Sequence, residues 1–186
     1  KGTLYAGGVQ VMSAGAGVLH KETVLPEQHV ADAFQLWVAL PADEQEMGSV
    51  VYSTAQKNAL PIHAAENGAS TKIIVGQYEG LISPVQAPIE MTYLHIRLKE
   101  NTQWHYPTEP GQTTAMIYVR TGSVATGDSQ ISATELGIYE QSNGAISIEA
   151  GAGETEFLII AGTPLKQAII SNGSSIHSST ENLISG

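Results

Sequence analysis

Tyr93-Leu94-His95-Ile96-Arg97-Leu98-Lys99 decides the fold class, because apolar and polar residues alternate through it without a break. Successive side chains on a β-strand leave opposite faces. Leu94, Ile96 and Leu98 therefore point one way, and Tyr93, His95, Arg97 and Lys99 the other. Residues 145–149 repeat the pattern, with Ile146 and Ile148 on one face. Phe157-Leu158-Ile159-Ile160-Ala161 is apolar throughout and is stopped by Gly162 and Pro164, as in a strand buried on both faces. Residues 72–78 read as a further strand. Only 179–184 has the look of a helix, of one turn or two. Nineteen glycines and eight prolines supply turns between many short strands. The predicted fold is all-β.

The bulk numbers narrow the function. Of 186 residues, 42% are hydrophobic and 14% charged, which is a globular composition. No run reaches the eighteen apolar residues of a spanning helix, so no membrane partner is expected. Eight basic against eighteen acidic residues give a net charge of −10, and no Lys/Arg cluster offsets it. Such a surface repels phosphate backbones, so direct nucleic-acid binding is not expected. The absence of cysteine excludes disulfides and thiolate metal sites and fits a cytoplasmic, reducing location. Any metal must be held by His and carboxylate. The chain opens on Lys1, and Gly2-Thr3-Leu4-Tyr5 already reads as mid-strand, so the natural start is expected upstream.

An internal repeat organises the chain. Gly8-Val9-Gln10-Val11, then Gly17-Val18-Leu19-His20-Lys21-Glu22, then Phe34-Gln35-Leu36-Trp37-Val38-Ala39-Leu40-Pro41 form a first copy. Gly137-Ile138-Tyr139, then Gly144-Ala145-Ile146-Ser147-Ile148-Glu149, then the run from Phe157 to Pro164 form a second. The second copy has Ser147 where the first has His20, and Glu149 where it has Glu22.

His20-Lys21-Glu22 is the main chemical candidate. On a strand, residues i and i+2 share a face about 6–7 Å apart, so an imidazole and a carboxylate can converge on one ion. Imidazole suits iron, nickel, copper or zinc, and an added carboxylate favours non-haem iron among redox metals. On spacing alone, a bare His-x-Glu is more often a surface pair.

The run Val9-Gln10-Val11-Met12-Ser13-Ala14-Gly15-Ala16-Gly17-Val18-Leu19-His20-Lys21-Glu22 closely resembles the signature of the pirin family. Phe34-Gln35-Leu36-Trp37-Val38-Ala39-Leu40-Pro41 is similar to that family's following strand. Gly76-Gln77-Tyr78-Glu79-Gly80, Ile117-Tyr118-Val119-Arg120-Thr121-Gly122-Ser123-Val124 and Phe157-Leu158-Ile159-Ile160-Ala161-Gly162-Thr163-Pro164-Leu165 resemble its C-terminal barrel. The resemblance implies a bicupin, two cupin-type antiparallel β-barrels, with one divalent metal, Fe(II) first and Ni, Cu, Mn or Zn next, in the N-terminal barrel. Residues 1–60 would be the remainder of that barrel. Residues 61–186 would be the C-terminal barrel, lacking metal ligands, with a short tail. The family's ligands are three histidines and a glutamate. His20 and Glu22 match the third histidine and the glutamate, and the other two histidines belong to a His-Pro-His-type stretch upstream that is not in this sequence. The N-terminal barrel is thus expected to be incomplete and the chain metal-free and inactive as it stands.

Around this pair, Gln10 and Gln35 are expected to line a pocket or hydrogen-bond to the ligands. Met12 and Trp37 project beside them, or pack in the core. Counting back from Tyr118, the ligand positions of a second cupin fall near Thr108 and Pro110, which cannot serve. His105 then reads as a hydrogen-bonded rim residue, and His29, His63, His95 and His177 as surface residues. Ser147 with Glu149 lacks an imidazole base.

The resemblance implies a metal-dependent dioxygenase of the quercetin 2,3-dioxygenase type acting on a flavonol-like small molecule, with Glu22 as the base for the substrate hydroxyl. The alternative of another class is a non-catalytic, metal-dependent regulatory protein with a protein partner, a transcription cofactor or a regulator of a metabolic enzyme.

Overall fold

The structure is a computed structural model that describes residues 2–25, 31–42 and 45–186. His29 lies outside them. In chain order the strands are β1 (Val9–Ser13), β2 (Val51–Ala55), β3 (Ile62–Ala64), β4 (Ser70–Val75), β5 (Gln77–Tyr78), β6 (Leu81–Ile82), β7 (Met91–Leu98), β8 (Gln103–Tyr106), β9 (Thr114–Thr121), β10 (Ser123–Thr126), β11 (Ser129–Ser132), β12 (Leu136–Ile138), β13 (Ile146–Ala150), β14 (Thr155–Gly162), β15 (Ile170–Ser171) and β16 (Ile176–His177). One short helix, α1 (Thr180–Ser185), ends the chain. Ser179 caps it, its hydroxyl accepting from the Asn182 N–H. Among the described residues no helix is long and apolar enough to cross a membrane.

The chain divides into two compact units, 1–11 with 53–164 and 12–52 with 165–186. This differs from a cut at residue 60, since the C-terminal tail groups with residues of the first half and not with the later barrel.

Two larger sheets build most of the first unit, beside the small β5-β6 pair. One runs β12-β9-β14-β7-β4-β3 and the other β11-β10-β13-β8. The alternation in 93–99 explains the first sheet's central position for β7. Leu94, Ile96 and Leu98 are buried, while β14 and β4 flank it in antiparallel register. The continuous apolar run of β14 lies between β7 and β9, with Phe157, Leu158, Ile159 and Ala161 all buried. From the other sheet come Val124, Trp104, Tyr106, Ile146, Ile148 and Ala150, which join Phe157, Ile159 and Ala161 in one core.

That core fills the space between the sheets. Tyr78 and Trp104 stack at 5.5 Å, Trp104 and Tyr106 at 6.2 Å, and Phe157 meets Trp104 edge-on at 5.8 Å. The polar ends of these rings are satisfied. Trp104 Nε1–H donates to Thr71 Oγ1 at 2.8 Å, and Tyr78 O–H donates to the His105 carbonyl at 3.0 Å. Burial pushes the Tyr78 phenol up to about 12. The kink between β4 and β5 requires glycine. Gly76 has φ +81°, and a Cβ there would stand 2.6 Å from the Met91 carbonyl oxygen.

In the second unit the tail braces the first half of the chain through two side chains. Gln167 donates from Nε2 to the Leu40 carbonyl at 2.8 Å and accepts from the Ala42 N–H at 2.9 Å. Glu46 holds residues 177 and 178 from the other side. Gly15 (φ +54°) also belongs here, since a Cβ on it would lie 2.0 Å from the Gly48 carbonyl oxygen. Its neighbour Ala16 donates to that same oxygen at 3.1 Å.

Candidate functional site

Neither 17–22 nor 34–41 forms a strand, contrary to the expectation from the repeat. A strand exists only through its ladder, and no ladder among the described residues includes either segment. The first copy therefore keeps one strand, β1, while its counterpart later in the chain keeps β12, β13 and β14.

His20 and Glu22 nevertheless come together. His20 Nδ1 is 3.8 Å from Glu22 Oε1, with side chains 42% and 65% exposed. An ion pair this open is weak in itself. Gln10, Gln35 and Trp37 are exposed and Met12 is half-buried. As a test of fit, a cupin metal needs more than two donors, and among the described residues no group of three or more His, Asp or Glu side chains is placed to hold an ion. The described residues do not by themselves complete a metal site.

The interior of the later barrel offers no alternative. Trp104, Tyr106 and Phe157 occupy it with ring-to-ring packing. Thr108, one of the two positions counted as a cupin ligand, donates its hydroxyl to the Asn143 carbonyl at 3.0 Å. His105 is exposed on β8 and hydrogen-bonds through Nδ1 to Ser147 Oγ at 3.1 Å. The imidazole missing from the Ser147–Glu149 reading is thus supplied by the neighbouring strand, through the register Ser147–His105. Sequence spacing carries no trace of a partner 42 positions away.

Three other histidines depart from the surface reading. His95 lies against Glu156, Nε2 to Oε1 2.6 Å, and Arg97 and Arg120 approach the same oxygen at 3.5 and 3.4 Å. Burial pushes the His95 imidazole below its usual range, although Glu156 pulls the other way. Burial alone would raise the Glu156 carboxyl. The His95 hydrogen bond, with the charges of His95, Arg97 and Arg120, outweighs it and holds the group below the usual carboxylate range. His177 is buried, its Nδ1 3.0 Å from Glu46 Oε1. His63 is half-buried, edge-on to Tyr78 at 5.5 Å.

A family model described as the Pirin C-terminal cupin domain matches residues 93–185, and one described as Pirin matches 1–38. Pirin-1 of Arabidopsis thaliana is 33% identical over 179 residues, which are 93% of this chain and 60% of that protein. A Pseudomonas aeruginosa protein named provisionally as a quercetin 2,3-dioxygenase is 25% identical over 98% of the chain and 64% of its own length. The chain thus spans about 60% of the length of such relatives. Among solved structures, a quercetin 2,3-dioxygenase from Acinetobacter baumannii superposes with a TM-score of 0.80 over 98% of this chain and 65% of that one, at 23% identity. That likeness establishes the all-β cupin fold. With half of its length matched by the C-terminal model and its opening residues by the other, the chain belongs to the pirin family.

Proposed function

We propose that this chain is part of a metal-binding pirin-like cupin of the quercetin 2,3-dioxygenase type. His20 and Glu22 give two of the metal's donors, and the remaining donors come from outside the described residues. The approach of His20 Nδ1 to within 3.8 Å of Glu22 Oε1, inside the segment matched by the Pirin model, carries this reading. The names of the Pseudomonas and Acinetobacter relatives support the reaction class. A divalent metal, Fe(II) first, would supply oxygen chemistry when bound. Glu22 would accept the proton of a flavonol hydroxyl, and Gln10, Gln35, Met12 and Trp37 would border the substrate. The lack of cysteine supports a cytoplasmic location. The full-length protein, supplied with Fe(II), should consume oxygen when given quercetin, and Glu22→Gln should abolish that consumption. Turnover left intact by Glu22→Gln would remove Glu22 from the reaction.

A second reading is a non-catalytic regulator that binds a protein partner. It draws on the large apolar side chains exposed in 12–52, among them Phe34, Trp37 and Tyr52. Partner capture by the full-length protein that requires added metal, with no oxygen consumed when quercetin is supplied, favours this reading over the enzyme.

A further inference from the structure

Half of the chain's eight Lys and Arg residues gather at the outer face of the six-stranded sheet. Lys72 on β4 and His95 on β7 are direct partners across the ladder, and Arg97 follows two residues after His95 on the same face. Their neighbours Ile73, Leu94 and Ile96 are fully buried, so this row points outward. Lys57, exposed in the 3₁₀ turn before β3, is the charge that acts most strongly on Lys72, ahead of Arg97. Arg120 on β9 completes the group. Against these four cations stands Glu156, opposite Arg97 on β14. It already receives His95 at 2.6 Å, Arg97 at 3.5 Å and Arg120 at 3.4 Å. Neither Lys57 nor Lys72 has an ion-pair partner among the described residues.

Like charges side by side on a sheet destabilise it. A chain of net charge −10 thus spends half of its scarce cations where they repel one another. Burial, with Lys57 and Arg97 nearby, pushes the Lys72 amine below its usual range, and Glu156 pulls the other way. A bound anion relieves that repulsion, and the charge balance sets its valence. Four cations against one carboxylate leave an excess of three, which a monoanion would barely offset. The rest of the chain sets its size. Charges further than about 8 Å are largely screened at physiological salt, so a compact anion feels the patch alone. A long polyanion would run on over the acidic remainder. The Arg97 guanidinium is 68% exposed and can present N–H groups to oxygens beside the Lys72 ammonium. We infer that this sheet face is a binding site, built without His20 and Glu22, for a compact oxyanion of two or more negative charges held by Lys57, Lys72 and Arg97.

The test is NMR titration of the ¹⁵N-labelled chain at constant ionic strength with pyrophosphate, with citrate and with acetate. Pyrophosphate or citrate should shift the backbone amides of Lys72, His95 and Arg97, and the tighter of the two tells phosphate from carboxylate oxygens. Acetate should bind at least tenfold more weakly. Lys72→Gln and Arg97→Gln should each weaken the preferred anion at least fivefold, and Lys57→Gln, at an exposed position, serves if Lys72→Gln does not fold. Lys166→Gln removes an exposed cation of the second unit and should leave the affinity within twofold. The proposal is overturned if neither pyrophosphate nor citrate shifts those amides, or if acetate binds as tightly. It is equally overturned if the patch variants bind like the unmodified chain, or if Lys166→Gln weakens binding as much as they do.

Discussion

Glu46 and His177, 131 positions apart, meet in the interior of the second unit with Nδ1 3.0 Å from Oε1, at 2% and 6% side-chain exposure. The same carboxylate accepts the Ser178 N–H at 2.9 Å and the Ser178 hydroxyl at 2.5 Å. A buried carboxylate is tolerated only when donors replace water, and His177 and Ser178 supply them here. Removing it strands those donors. Glu46→Ala should cost about 2–4 kcal/mol of stability in urea denaturation. A loss under 0.5 kcal/mol, taken as roughly the surface-mutation range, would show that the cluster is not needed to hold the tail.

The same group sets an acid limit. Burial raises the Glu46 carboxyl, but hydrogen bonds from Ser178, Asn182 and His177 outweigh it and hold the group below the usual carboxylate range. A depressed carboxyl contributes stability that is present above its unfolded value and is lost as pH falls through the folded one. Hydrogen exchange of 176–185 should therefore accelerate below about pH 4. In Glu46→Gln that acid-dependent part should be absent.

Glu156 provides a second pH test. Since Glu156 raises the His95 pKa against the lowering effect of burial, Glu156→Gln should lower that pKa further. A histidine with a depressed pKa contributes stability above its unfolded value, near 6.5, and loses it as pH falls. The variant should therefore lose more stability than the wild type between roughly pH 7 and 5. An NMR titration in which the His95 pKa rises in the variant would contradict the assignment.

Trp104 fills the barrel interior. Trp104→Ala should cost about 3–5 kcal/mol in denaturant unfolding, because it leaves a cavity and strands Thr71 Oγ1. Trp104→Phe should cost less, keeping part of the ring packing while losing the N–H bond and some buried volume.

The later barrel was legible in the sequence because its signals are local. The alternation of 93–99 and the apolar run at 157–161 each depend on one strand, and both strands lie where those patterns place them. The cap at Ser179 is likewise local. What sequence could not supply is pairing across the chain. His95 and Glu156 meet across the β7–β14 ladder, His105 and Ser147 across β8–β13, and His177 reaches Glu46 through the folded-back tail. Each histidine looked solitary for want of a neighbour in sequence. The opposite failure befell 17–22 and 34–41, whose residues read as strands but have no ladder among the described residues. His20 and Glu22 thus share a direction without sharing a sheet.

Titration of the 186-residue chain with Mn(II), followed by paramagnetic broadening of its NMR signals, tests the metal assignment most directly. Broadening should appear first at His20 and Glu22, with the weak affinity of an incomplete donor set, and His20→Ala should abolish it. Signals of residues 20–22 that stay sharp while another region broadens would contradict it.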